Sequence, residues 1–204
     1  KETIKRLENV DIFLNIKDLS GLPELLNKKS EQDKIETYFS IKPKYESSFT
    51  AYVPIMTGCN NYCSYCIVPY TRGPEESRPM EEILDEIKKL ADNNFKEIFL
   101  LGQNVNSYGN GWGNKHNFLS LLSKINDISG IKRIRFTTSH PKDFNLNLIK
   151  TIKSGSKICE HIHLPIQSGS DNILRKMNRK YDMEQYYSII NQIRKYMQDA
   201  SITT

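Results

Sequence analysis

The chain has 204 residues, a hydrophobic fraction of 38% and a charged fraction of 26%, the balance of a globular protein with one sizeable core. No apolar run approaches a membrane span and the opening KETIKRLENVD has no signal-peptide pattern, so a cytoplasmic protein without a membrane partner is expected. A net charge of +5 permits a polyanionic partner without demanding one, and four cysteines are too few for a secreted disulfide scaffold.

In chain order, VDIFLN (10–15) predicts a strand and LPELL (22–26) a helix, followed by a polar, linker-like stretch to residue 47. AYVPIMTG (51–58) reads as a short apolar strand ending in glycine. Residues 77–94 predict a helix, since Met80, Ile83, Leu84, Ile87, Leu90 and Ala91 recur at spacings of three and four. Pro79 suits its first turn, Glu81 and Glu82 its positive end, and Lys88 and Lys89 its negative end. The same grammar repeats: strand 96–102, helix 118–128, strand 134–139, helix 146–153 closed by Gly155, strand 158–164, short helix 171–177, helix 182–198 and an opening strand at 201–204. Regular alternation with strands buried on both faces predicts an α/β fold with a parallel sheet and right-handed crossovers. Periodicity does not choose between a barrel and an open sheet.

The chemistry-bearing stretch is GCNNYCSYCIVPYTRG (58–73). It places Cys59, Cys63 and Cys66 in the spacing C-x3-C-x2-C, on a loop longer than an ordinary strand-to-helix connection. The loop leaves the C-terminal end of a strand, where α/β proteins place their sites. Reduced neighbouring thiols are metal ligands. Zinc would need a fourth ligand from afar, such as His116 or His140, while soft thiolates equally suit an iron–sulfur cluster. A four-iron cubane on three cysteines leaves one iron without a protein ligand, free to bind a substrate or cofactor. Cys159 lies among apolar neighbours and is expected to be a buried structural thiol.

The triplet with Tyr65 before its last cysteine, directly after the first strand of a βα repeat, resembles the radical S-adenosylmethionine (SAM) superfamily. CIVPYTRG (66–73), SRP (77–79), LLGQNVNSYG (100–109), FTTSHPKD (136–143), HLPIQSGS (163–170) and MNRKY (177–181) resemble the methylthiotransferase family, in its branch acting on isopentenylated adenosine of tRNA. The resemblance implies a partial (β/α) barrel with its first four to five units over 46–204, and residues 1–45 as the tail of an N-terminal domain plus linker. It implies a 4Fe–4S cluster on Cys59, Cys63 and Cys66, SAM on the open iron, and abstraction of hydrogen from carbon 2 of the adenine by a 5′-deoxyadenosyl radical. It also implies tRNA and an electron donor as partners. A second, auxiliary cluster belongs to the family's N-terminal domain, yet residues 1–45 contain no cysteine. Two other functions compete: methylthiolation of a ribosomal protein side chain, and a non-catalytic zinc-stabilised RNA-binding module.

On this resemblance the remaining polar blocks acquire roles, each against a plainer one. Gly102, Gln103 and Asn104 would hold the methionine end of SAM, or only end a strand. Ser139 and His140 end the next strand on the same presumed face, although a lone histidine is commonly a hydrogen-bonded structural residue. Gln167 and Ser168 would meet the adenosyl ribose or the target base. Tyr65, just before the last cysteine, would contact the cofactor, and Tyr70, trailing the triplet, the substrate. Arg72 would cap the SAM carboxylate or meet RNA phosphate, or pair with Glu75 or Glu76. Arg179, with Arg175, Lys176 and Lys180, forms a basic stretch suited to RNA, or a solvated helix face.

Overall fold

The computed structural model describes Leu22, Phe39 and residues 43–113 and 116–204. The strand expected at 10–15 and, Leu22 apart, the helix expected at 22–26 lie outside the described residues.

The expected strand over 51–58 is in fact two. Strand β1 (Thr50–Pro54) joins a parallel sheet, and β2 (Met56–Thr57) pairs antiparallel with β3 (Glu76–Ser77). Ile55 makes the switch. Its N–H donates to the Leu101 carbonyl at 2.9 Å, while its own carbonyl accepts from the Arg78 N–H at 2.9 Å. The cysteine loop is therefore closed at its base by a two-residue ribbon, which a run of apolar letters does not reveal.

Strand β4 (Glu97–Leu101) lies between β1 and β5 (Arg133–Phe136), parallel to both. A parallel bridge between Ile134 and Ile158 continues the series toward β6 (His161–His163), which pairs parallel with β7 (Ser201–Thr203). Apart from the β2–β3 ribbon, each parallel strand follows the one before it in the order β1, β4, β5 and, across the bridge, β6 and β7, with no reversal of the kind that defines a doubly wound sheet. That order is the partial (β/α) barrel.

The expectation of strands buried on both faces is corrected. Ala51, Val53, Ile98, Leu100, Ile134 and Phe136 are buried, but the cross-strand row on the other face is Tyr52, Phe99 and Arg135, with Tyr52 53% exposed. Helices cover one side of the wall, so only that side needs to be wholly apolar. Below this row Glu97 ties three strands, bonding Arg133 at 2.6 Å, Arg135 at 3.2 Å and the Thr50 hydroxyl at 3.2 Å.

The helices follow their sequence logic. A short helix α1 (Val68–Thr71), not expected from the sequence, sits inside the cysteine loop. Helix α2 (Met80–Asp92) buries Met80, Ile83, Ile87 and Leu90, one face at helical spacing. Pro79 falls one residue earlier than expected, at the N-cap. Helix α3 (Phe118–Asn126) starts at a reciprocal Asn117–Ser120 capping box, α4 (Leu146–Ser154) at an Asn145 cap, and α6 (Met183–Tyr196) at an Asp182–Gln185 box. Between the last two lies the short α5 (Asp171–Lys176). The expected strand 158–164 is shortened to His161–His163, leaving Cys159 ahead of it and half-buried rather than buried.

Candidate active site

Because β1, β4 and β5 are parallel, the segments following them emerge on one edge of the sheet, and they are stitched together there. The Thr138 hydroxyl donates to the Gly102 carbonyl at 2.6 Å, and the Asn104 amide donates to Asp143 at 2.6 Å. Gly102 is required by packing, since a Cβ there would meet Met56 Cγ at 2.5 Å. The loop after β4 is anchored further on, with the Tyr108 hydroxyl donating to the Arg78 carbonyl at 2.8 Å.

The cysteine loop begins at Gly58, where φ is +76° and a Cβ would stand 2.0 Å from the Pro74 carbonyl oxygen. Only glycine fits this conformation and this approach. The next residue then crosses the loop, as the Cys59 N–H donates to the Gly73 carbonyl at 3.1 Å. Cys59 is buried, and Cys63 and Cys66 are half-buried around a turn closed by the Cys66 N–H donating to the Cys63 carbonyl. Burial pushes the Cys59 thiol up, partly offset by the Asn61 donors; the Asn61 amide lies 3.4 Å from its sulfur.

The residues 177–179, more than a hundred positions later, grip this loop. The Ser64 N–H donates to the Met177 carbonyl at 3.1 Å, and the Asn178 amide donates to the Tyr62 carbonyl at 2.8 Å. The Arg179 guanidinium donates to Cys63 Sγ at 3.3 Å and lies over the Tyr181 ring at 5.2 Å. Burial works against the Arg179 charge, but the bonds to Cys63 and Tyr181 outweigh it and raise its pKa. Arg179 thus turns inward to a thiol, while its basic neighbours Arg175 and Lys176 are exposed on α5. Asn61 and Asn178 were not among the site residues expected, although both lie in the blocks 58–73 and 177–181; their contacts with the loop form only when the fold brings the two segments together.

A second feature marks the same edge. Thr57 Oγ1, Gln103 Oε1, Asn104 Oδ1, both amide atoms of Asn106, Ser139 Oγ and Arg179 Nε are buried without a hydrogen-bond partner. Each such atom costs about 1–3 kcal/mol, and those of Gln103, Asn104, Asn106 and Ser139 lie in the segments that follow two neighbouring parallel strands, where a polar ligand would repay them. His140 is buried among them, its ring edge-on to Tyr181 at 5.6 Å, with Nδ1 accepting the Lys142 N–H at 3.2 Å. Burial, with Arg179 and Lys142 beside it, lowers its pKa to about 3, against the opposing pull of Asp143. It is a neutral imidazole.

The remaining sequence-predicted residues sit farther out. Tyr65 and Tyr70 are 54% and 75% exposed, and Tyr70 packs edge-on against Tyr62 at 6.3 Å. Arg72 is half-buried. Gln167, at φ +64°, is exposed, with Ser168 half-buried beside it.

The residues present fit a thiolate-held group. Two of the three sulfurs already accept N–H donors, one from a cation, as thiolates do when they ligate. Among the described residues no group of three or more His, Cys, Asp or Glu side chains converges to hold a single metal ion. A zinc ion needs thiolates about 2.3 Å from one common point, whereas a multi-iron cluster spreads its ligands over separate corners.

The sequence profile of the radical SAM superfamily matches residues 53–204. The chain belongs to the radical SAM superfamily. Among relatives of this radical SAM chain, the tRNA-2-methylthio-N(6)-dimethylallyladenosine synthase of Natranaerobius thermophilus is 48% identical over 96% of the chain and 46% of its own length. The protein of the same name from Thermoanaerobacter pseudethanolicus is 56% identical over 79% of the chain and 34% of its own length. The chain thus spans about half the length, or less, of these relatives. In fold it is similar to the radical SAM methyltransferase TsrM of Kitasatospora setae, solved with cobalamin and a [4Fe-4S] cluster, at a TM-score of 0.57 and 15% identity over 72% of this chain and 29% of that one.

Proposed function

We propose that this chain is the radical core of a tRNA methylthiotransferase, adding a methylthio group to carbon 2 of isopentenylated adenosine beside the anticodon. The observation that carries the reading is the pairing of two features: three thiols on the loop between β2 and β3, and unpartnered buried polar atoms in the segments after β4 and β5. The relatives named for this reaction support the substrate assignment. Residues 46–204 are the radical SAM core and 1–45 the tail of a preceding domain. A second cluster, a tRNA partner, an electron donor and a cytoplasmic setting belong to the same reading of the whole protein.

Cys59, Cys63 and Cys66 would hold a 4Fe–4S cluster, which when bound supplies the electron that cleaves SAM. The chain's own residues bind, orient and exclude. Gln103, Asn104 and Ser139 present buried oxygens to the donor groups of SAM, and the partners they lack come from the ligand. Asp143 holds the Asn104 amide, which fixes how its free oxygen points. His140, kept neutral, adds a polar edge without a charge that would repel the SAM sulfonium. Tyr70 and Gln167, which are exposed, and the half-buried Arg72 and Ser168 would meet the incoming nucleotide. The buried wall of Ile55, Met56 and Val105 keeps water from the site.

Mass spectrometry of tRNA nucleosides from cells lacking the full-length protein tests the proposal. The 2-methylthio nucleoside should vanish and its isopentenylated precursor accumulate; unchanged levels of both contradict it.

A further inference from the structure

Resting on the cluster-holding reading above, we infer that Arg179 is a positioning residue for the thiol triplet: it fixes Cys63 and sets how readily the group bound there is reduced.

Four hydrogen bonds join the 177–179 turn to the cysteine loop, although the two are far apart in sequence. Three of them, from Ser64 N–H to Met177 and from the Asn178 amide to the carbonyls of Tyr62 (2.8 Å) and Asn61 (3.4 Å), hold the loop backbone. The fourth is chemically different, because the Arg179 guanidinium donates to the Cys63 sulfur itself. Backbone strain marks the same place: Tyr62 and Asn178, the two residues joined by the shortest of these bonds, have φ of +48° and +56°. Non-glycine residues persist there only when the surroundings over-determine them.

Arg179 is unsuited to the plainer role of a surface cation. It is half-buried, its Nε is buried without a partner, and Tyr181 covers its face. Burying a guanidinium is costly unless an anion compensates it. Cys63 is the anion that the geometry offers once it ligates. Arginine keeps its charge at any working pH, and a fixed cation beside a cluster sulfur favours the state carrying one more electron. A merely structural arginine would stabilise the fold without moving the reduction potential.

The test uses the 204-residue chain reconstituted without oxygen with iron and sulfide, comparing wild type with Arg179→Gln and Arg179→Lys, and with the exposed Lys150→Met as a charge control. Two quantities are read: the midpoint potential of the bound cluster without SAM, and iron retained under chelator challenge; circular dichroism monitors folding. Arg179→Gln should shift the potential to more negative values and lose iron faster, Arg179→Lys should recover part of both, and Lys150→Met should match wild type. A folded Gln variant that retains no iron while the Lys variant does also supports the inference, since charge separates the two. Equal potentials in wild type and Gln variant, or equal shifts in the Gln and Lys variants, overturn it. A wild-type chain that binds no iron instead overturns the reading beneath it.

Discussion

His140 illustrates how one residue carries both stability and site chemistry. Its pKa is lowered from the ordinary 6.5 to about 3, mainly by burial, then by Arg179 and Lys142. The unfolded chain therefore binds a proton that the folded chain refuses. The stability this residue contributes is fully present above pH 6.5 and is lost progressively as pH falls toward 3, by up to about 1.4 kcal/mol per pH unit. Urea unfolding of wild type and His140→Asn between pH 7.5 and 4.5 should show a steeper acid loss in wild type; parallel curves would mean the imidazole titrates normally. Gln103 makes the opposite trade. Its buried oxygen has no partner, so Gln103→Met should leave the melting temperature unchanged or higher. The same change should weaken SAM binding to the loaded chain about tenfold or more, as calorimetry would register. Unchanged affinity would remove Gln103 from the ligand's surroundings.

At the scale of elements, legibility followed locality. Helices α2, α3, α4 and α6 were readable because their apolar spacing and caps lie within a dozen neighbouring letters, and their ends moved by only a few residues. The break at Ile55 was not, because it depends on Leu101 and Arg78 supplying partners from other segments. Likewise the three cysteines were visible as a motif, whereas the 177–179 turn that holds them was visible as part of a family-like block and a basic stretch, with no sign that it meets the cysteine loop. The β1–α2 loop depends on one glycine, and Gly58→Ala tests that dependence. A Cβ 2.0 Å from a backbone oxygen cannot be relieved by a rotamer change, and φ +76° adds strain of about 1–3 kcal/mol. The variant should fold with a lowered melting temperature and retain less than half the wild-type iron after reconstitution. Full iron retention would show that the loop tolerates another path.

For the molecule as a whole, the strand order decides where chemistry can occur. Successive parallel strands bring residues 55–66, 102–107 and 137–143 to one edge, so blocks far apart in sequence become one site. Among the described residues no helix is long and apolar enough to cross a membrane. The net charge of +5 over 204 residues offers few concentrated phosphate contacts, so tight RNA binding is not expected of this chain alone. The central claim is that the triplet holds a four-iron cluster with an iron open to SAM. It is tested most directly by anaerobic reconstitution followed by iron and sulfide analysis and electron paramagnetic resonance with and without SAM. Wild type and Cys159→Ala should bind about four irons and four sulfides per chain, with a reduced spectrum that SAM perturbs, while Cys59→Ala, Cys63→Ala and Cys66→Ala should each lose the chromophore. Stoichiometric zinc without iron, or a spectrum unmoved by saturating SAM, would contradict the account.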